Sequence, residues 1–587
     1  MTACPIRSHW KLAPLAVGIL LMNAWAQTSQ PAMETPQPAI RVTTHMVLVD
    51  VVVTDKQGKA IAGLGPEDFV VEENGKNQKI ASLSAPKDNS PAAEALPPGI
   101  YSNRPQYRTT GGPVTVMLLD ALNTPFSDQS YARRQMLSFV KEQFKPGERM
   151  AVFTLTGKLN VLQDFTSDPQ ILYTALQHYR PQTQEFASAG HPATSIASGD
   201  PTAASVIVSL DRSTPPASDN SSASGGGLRG GGLASGQIAS AEAALLAFEG
   251  AQVAYAKDQF AILTLNALGS LARILGGLPG RKTLIWVTGD LPFSFIPEDR
   301  TMTAAELAED LPSLDTRRVG EHASGNYAAT FRQAHAQEIR EVATRLASAQ
   351  VAVYPVDARG LSISTNIDSQ ETMREMARET GGRAYINQNE IKIGVERAFE
   401  DEAAAYTVGY YPENKKYDGK YRGIKVKVKR DGVEIHSRRG YFAIDPTQTK
   451  GYNAQQEVVS ALGDAVPATF VAFSAQVKPP SANSVQGKIG VTFLVDGHSL
   501  SAEDASGGKH LNVSMYATIY SPDGKMLDNR RQLVDQTFDA NTYQKILQQG
   551  LMLHMDLDPQ SGKNQLRLAV QDTRTGLVGT IVAPVPQ

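Results

Sequence analysis

The sequence predicts an α/β protein built on a doubly wound, mostly parallel sheet, flanked by a small N-terminal β module and a C-terminal β-sandwich-like domain. Three observations predict it. Uncharged apolar runs of strand length recur between helical patterns and lead to a carboxylate: Val114 to Asp120, Thr283 to Asp290 and Val351 to Asp357. Such continuous runs belong to strands covered by helices on both faces. From about 113 to 405 strand and helix alternate, which is the order of βαβ units. Outside that stretch, short alternating or β-branched runs separated by Gly, Asn and Asp turns replace the helical period.

A chain of 587 residues, 41% apolar, is long enough for about three domains, each with its own core. Its 56 basic and 59 acidic residues leave a net charge of −3, with no concentrated basic surface, so nucleic acid is not an expected partner. Arg7, His9 and Lys11 precede an apolar run from Leu12 to Ala24, and Ala24-Trp25-Ala26 has a small-x-small pattern. Residues 1–26 thus read as a cleaved signal peptide, which implies a secreted or periplasmic, cell-envelope destination with no membrane span after cleavage. Cys4, the single cysteine, lies inside that segment, so the mature chain is expected to hold no disulfide and no thiolate chemistry.

After a tether at 27–40, residues 41–85 read as the small β module. Val42 to Val53 supplies a strand, and Asn74-Gly75 turns a hairpin whose return strand is expected at Ile80 to Leu83. Residues 86–112, rich in Pro, Ala, Ser and Asn, read as a linker. The α/β domain spans 113–405. Its strand at Val114 leads to a helix from Ser127 to Phe144, a strand at Met150 to Leu155 with a short companion at Asn160 to Leu162, and a helix opened by Asp168-Pro169. The Ser-, Ala- and Gly-rich run 181–236 cannot bury enough apolar surface to offset its ordering entropy and is expected to be a disordered insertion. A long helix from Ser240 to Leu275 follows, then the strand Thr283 to Val287 and a second insertion with Pro292, Pro297 and Pro312. Next come a helix at Tyr327 to Ala349, the strand Val351 to Val356, a helix at Ser369 to Thr380, a strand at Arg383 to Ile386 and a helix at Ile391 to Ala405. Residues 406–446 form a β-hairpin extension, in which Ile424, Val426 and Val428 alternate with lysines and Asp431-Gly432 turns the chain. A helix near Ala454 to Leu462 links to the C-terminal β-rich domain, 469–587.

The candidate chemistry lies where the strands end. In an open α/β sheet ligands bind at the carboxyl edge, and Asp120, Asp290 and Asp357 are all expected there. Hard cations such as Mg²⁺ take oxygen ligands and use only one or two carboxylates. Asp120, the Asn123 amide oxygen and the Thr124 hydroxyl would supply part of such a shell, with Asp290 holding one of its waters.

Several blocks are distinctive: Val49-Asp-Val-Val-Val-Thr-Asp55, Glu67-Asp-Phe-Val-Val-Glu-Glu-Asn-Gly75, Leu119-Asp-Ala-Leu-Asn-Thr-Pro-Phe126, Leu278-Pro-Gly-Arg-Lys-Thr-Leu-Ile-Trp286, Val356-Asp-Ala-Arg-Gly-Leu361 and Arg439-Gly-Tyr-Phe442. Over residues 41 to 445 the chain resembles the VWFA-related family of exported bacterial proteins, which implies a von Willebrand factor A-like fold. That fold carries a metal-ion-dependent adhesion site, Asp-x-Ser-x-Ser, that binds a partner's carboxylate through Mg²⁺ or Mn²⁺. By this resemblance Asp120 matches the first acid, Thr124 the second hydroxyl and Thr264 the second-loop threonine, although Thr264 falls within the long helix. Asp290 stands in for the third-loop acid, as Thr288-Gly289-Asp290 rather than Thr-Asp-Gly. Leu122 occupies the first serine position and cannot ligate. The expectation is a non-enzymatic, adhesion-type protein binding a protein partner through a degenerate cation site. The rival is a metal-dependent, phosphatase-like hydrolase using Asp120 as nucleophile. Leu122 also stands where its general acid would be. No His-Glu-x-x-His zinc spacing or Gly-x-Ser-x-Gly elbow occurs.

Overall fold

The computed structural model describes residues 46–85, 96–108, 114–145, 148–182, 255–291, 293, 335–360, 367–388, 390–480 and 487–586. The expected signal peptide and tether, residues 183–254 of the expected first insertion and its flank, and nearly all of the expected second insertion lie outside these residues.

Strands β1 (Val47–Asp55), β2 (Phe69–Glu73), β3 (Lys76–Gln78), β4 (Ile80–Ser84) and β5 (Ile100–Ser102) open the described chain. The α/β region comprises β6 (Val114–Asp120), α1 (Phe126–Glu142), β7 (Met150–Leu155), β8 (Leu159–Thr166), α2 (Pro169–His178), α3 (255–275), β9 (Lys282–Thr288), α4 (Ala336–Ser348), β10 (Val351–Asp357), α5 (Ile367–Thr380) and α6 (Ile391–Ala403). Then follow β11 (Ala405–Tyr410), β12 (Tyr421–Val428), β13 (Val433–Ser437), β14 (Gly440–Phe442) and α7 (Ala454–Gly463). The C-terminal region holds β15 (Phe473–Lys478), β16 (Ile489–Val495), β17 (Glu503–Ala505), β18 (Gly508–Tyr520), β19 (Met526–Phe538), α8 (Ala540–Gln549), β20 (Leu551–Leu557), β21 (Gln565–Asp572) and β22 (Val578–Pro584).

The central five-stranded sheet has the order β10-β9-β6-β7-β8, parallel except for β8, which pairs antiparallel at the edge. Every residue of β6, β7, β9 and β10 is buried, as their apolar runs require. Alternate residues feed two cores. Val114, Val116 and Leu118 pack with α3, α4 and α5, while Met117 and Leu119 pack with α1, α2 and α6. Chain order runs outward in both directions from β6, so the carboxyl end of β6 is the switch point of the sheet. The expected strand at Arg383 to Ile386 shrinks to one bridge, Tyr385 against Val356.

Around this core the sequence-level pairing needs correction. The return strand after Asn74-Gly75 is β3, not 80–83; β4 leaves that sheet and pairs with β11. The expected hairpin across Asp431-Gly432 does not form either. β12 pairs with β2 and β14, whereas β13 pairs with β1. Two four-stranded sheets result, β13-β1-β11-β4 and β14-β12-β2-β3, with Val49, Val51, Phe69, Val71, Tyr406 and Val408 between them. Segments 46–85 and 405–442, distant in sequence, therefore share one core. A turn and an alternating pattern locate strands and faces but leave a strand's sheet open, and burying both apolar faces selected the two-sheet solution. Lys427 of the lysine-bearing face pairs with Glu72 on the neighbouring strand, as a solvated face allows.

The C-terminal region is β-rich, with one sheet β20-β16-β15-β5 and another in which β18 pairs with β17, β19 and β21, and β21 with β22. Residues 100–102, read from the sequence as linker, supply an edge strand to it.

Candidate functional site

The tight turn after β6 builds the site. Asp120 Oδ1 accepts from the backbone N–H of Leu122 (3.0 Å) and of Asn123 (2.9 Å), an Asx-type turn that folds the loop back on its own carboxylate. Gln129 of α1 fastens the same loop, donating its Nε2 to the carbonyls of Thr124 (2.8 Å) and Ala121 (3.3 Å).

Oδ2 of Asp120 faces β9. It accepts from the Trp286 indole Nε1 (3.0 Å) and the Asn123 Nδ2 (2.9 Å), and the Thr288 hydroxyl lies 2.9 Å away. That hydroxyl also donates to the Asp290 carbonyl at 2.7 Å, so its one proton is shared between two acceptors. Trp286 and Thr288 are two residues apart and hence on one face of β9, the face that Asp120 shares on β6. Burial pushes the Asp120 pKa up, and the hydrogen bonds from Asn123, Trp286 and Thr288 oppose that rise.

The sequence-predicted residues are brought together in part. Asn123 bridges Asp120 and Thr264, donating Nδ2 to the Thr264 hydroxyl at 3.0 Å, and Thr264 donates to the Phe260 carbonyl one turn back in α3. The Thr124 hydroxyl accepts from Gly289 N–H at 2.8 Å and so ties the β6 loop to the β9 loop. The Asp290 carboxylate is held elsewhere, by Ser369 and the Leu291 amide. Burial raises its pKa against those bonds and the fields of Lys257 and Arg359. Leu122 is a core residue, 6% exposed and packed with α3.

This arrangement does not fit a divalent cation. The groups converging on Asp120 are N–H donors and the Thr288 hydroxyl, and a cation approaching Oδ2 would meet the Asn123 amide and the Trp286 indole hydrogens. The Thr124 and Thr264 oxygens already serve protein donors. Among the described residues, no group of three His, Cys, Asp or Glu side chains could hold a metal.

The third strand-end acid, Asp357, is answered by Arg359 in a bidentate pair, Nε to Oδ1 and an Nη to Oδ2, both 2.8 Å. Arg359 and Asp128, near the start of α1, lie within each other's field at the same edge, and Phe126, the first residue of α1, is half-exposed. Sequence reasoning missed Trp286, Gln129 and Arg359. Only Trp286 had a readable signal, since an indole inside a fully buried strand must find an acceptor.

Comparison of the chain with models of protein families gives no match, and comparison with curated proteins gives none.

Proposed function

We propose that the chain is a secreted, non-enzymatic, adhesion-type protein with a von Willebrand factor A-like domain, binding a protein partner at the carboxyl edge of its central sheet. The observation that carries this reading is the internal saturation of Asp120. It is 2% exposed and fully engaged by the loop, Trp286 and Thr288, so it serves as the brace of a rigid edge. A phosphatase-like nucleophile needs an accessible carboxylate and a second acid nearby, and the position two residues on is the buried Leu122. At that edge Phe126 is half-exposed, with Asp128 two residues on in α1 and Arg359 within its field, an apolar ring and charged groups of the kind a protein partner engages.

The test uses the mature protein as bait in cell-envelope extract. A partner retained by the parent and lost with Phe126→Asp supports the reading. Turnover of a phosphate-ester or peptide panel that disappears with Asp120→Asn would overturn it. The same preparation addresses the cation: with the site closed as described, Mg²⁺ or Mn²⁺ is expected to leave the melting temperature unchanged. A rise that Asp120→Ala abolishes would restore a metal-dependent edge.

A further inference from the structure

Among the described residues, the C-terminal sheet that holds β18 is covered at one edge and open at the other. Beyond β22 the edge is covered, with Thr580 N–H donating to the Ala468 carbonyl at 2.9 Å and Thr469 bridging Gly579. On the far side β19 pairs with β18 from Lys509–Phe538 to Tyr520–Met526, and among the described residues no strand lies along its outer edge. All 13 of its residues are exposed or half-exposed. Three of the large apolar side chains most open to solvent, Met526 (48%), Leu527 (38%) and Leu533 (48%), sit on it, and Met552 (68%) sits on the nearby β20. An unpaired edge of this length offers a row of N–H and C=O groups to another strand, and proteins that avoid such pairing use short edge strands, Pro, bulges or charged side chains.

β19 is long, holds no Pro, and its charges are of both signs. On one face run Asn529, Arg531, Leu533, Asp535 and Thr537, and read backwards about Leu533 this order is complementary to itself. A two-fold axis normal to the sheet relates antiparallel strands so that opposed residues share a face, hence both are odd-numbered or both even-numbered. With the axis at Leu533, Arg531 stands opposite Asp535 and Asn529 opposite Thr537. On the other face Arg530 meets Gln536, so no like charges are opposed. Both charged groups are held in place from β18. Arg531 lies over the Tyr516 ring at 5.5 Å and donates to Ser514 Oγ at 3.1 Å, while Asp535 Oδ1 is 2.8 Å from His510 Nε2 and accepts from Asn512 at 3.1 Å.

We infer that β19 is the docking edge for a second copy of this chain, in an antiparallel pairing about Leu533 that sets Arg531 of each copy against Asp535 of the other and joins the two sheets into one.

Sedimentation velocity on the full mature chain over a range of concentrations tests it. The parent is expected to dimerise. Arg531→Asp and Asp535→Arg each oppose like charges twice, and each is expected to weaken the dimer at least tenfold, on the order set by two cross-strand pairs. An equimolar mixture of the two variants places an aspartate against an arginine in both pairs, and is expected to restore the dimer. That recovery also shows both variants folded. A parent that is monomeric at every concentration, a dimer indifferent to either single substitution, or a mixture that stays monomeric would each overturn the proposal.

Discussion

Lys282, the first residue of β9, is 1% exposed at the amino edge of the sheet, opposite the end where Asp120 lies. Burial drives its pKa down to about 8, with Asp50 and Glu402 opposing the fall. Glu402 is the converse case: burial pushes it up to about 7, against the field of Arg281 and a hydrogen bond from Thr283. The signs follow from which state holds more protons. A depressed lysine disfavours folding while it is charged in both states, and this cost fades as pH rises from about 8 to the ordinary 10.5. Glu402 favours folding fully below its ordinary 4.5 and loses that contribution as pH rises through about 7. Lys282→Met, which keeps the apolar stem and removes the charge, is therefore expected to stabilise the protein by about 2–3 kcal/mol at pH 7. Urea denaturation across pH checks it, and the advantage should shrink between pH 8 and the ordinary lysine value. Asp120 shows the other outcome for a buried charge, since donors surround it and no ion pair is needed.

Between elements, the decisive contacts are close backbone approaches. Just past α3, a Cβ on Gly277 would lie 1.8 Å from the Thr469 carbonyl oxygen. The Gly277 N–H donates to Thr469 Oγ1, whose hydroxyl donates in turn to the Ile274 carbonyl, both at 2.8 Å. The chain leading to the C-terminal β-rich region is thus laid against the end of α3 with no room for a side chain. Gly277→Ala is expected to cost about 2–4 kcal/mol, read as a lower urea midpoint with unchanged slope. The partner of Gly277 is nearly 200 residues away, so the constraint could not be seen locally.

At the scale of the molecule, a buried ionic network joins the α/β region to α7. Arg273 donates to Asp464 at 2.7 and 3.0 Å and to Glu457 at 3.3 Å, and Arg345 of α4 clamps Glu457 with two bonds of 2.9 Å. Removing one member leaves a buried charge uncompensated, which is far more costly than the pair is stabilising. Arg273→Met is expected to destabilise by about 3–5 kcal/mol and, in calorimetry, to separate melting of the C-terminal β-rich region from that of the α/β region. A single unchanged transition would contradict the role given to this network.

Much of the α/β core was legible from residues alone. Charge-free apolar runs such as Val114 to Leu119 have one stable home, a strand covered on both faces, and the alternation with helices orders such strands into a parallel sheet. The place of Asp120 at the carboxyl edge followed from the same pattern. Period-2 patterns in the flanking regions named strands and faces, but pairing partners depend on contacts across hundreds of residues. The sequence could not say that β13 crosses to β1 or that residues 100–102 complete a distant sheet. The site shows the same division. Its oxygen-bearing residues, Asp120, Asn123, Thr124, Thr264 and Asp290, suggest ligands when read along the chain. What only the tertiary structure shows is that folding brings the N–H groups of Trp286 and Asn123 to the Asp120 carboxylate, because a buried charge takes the donors nearest to it.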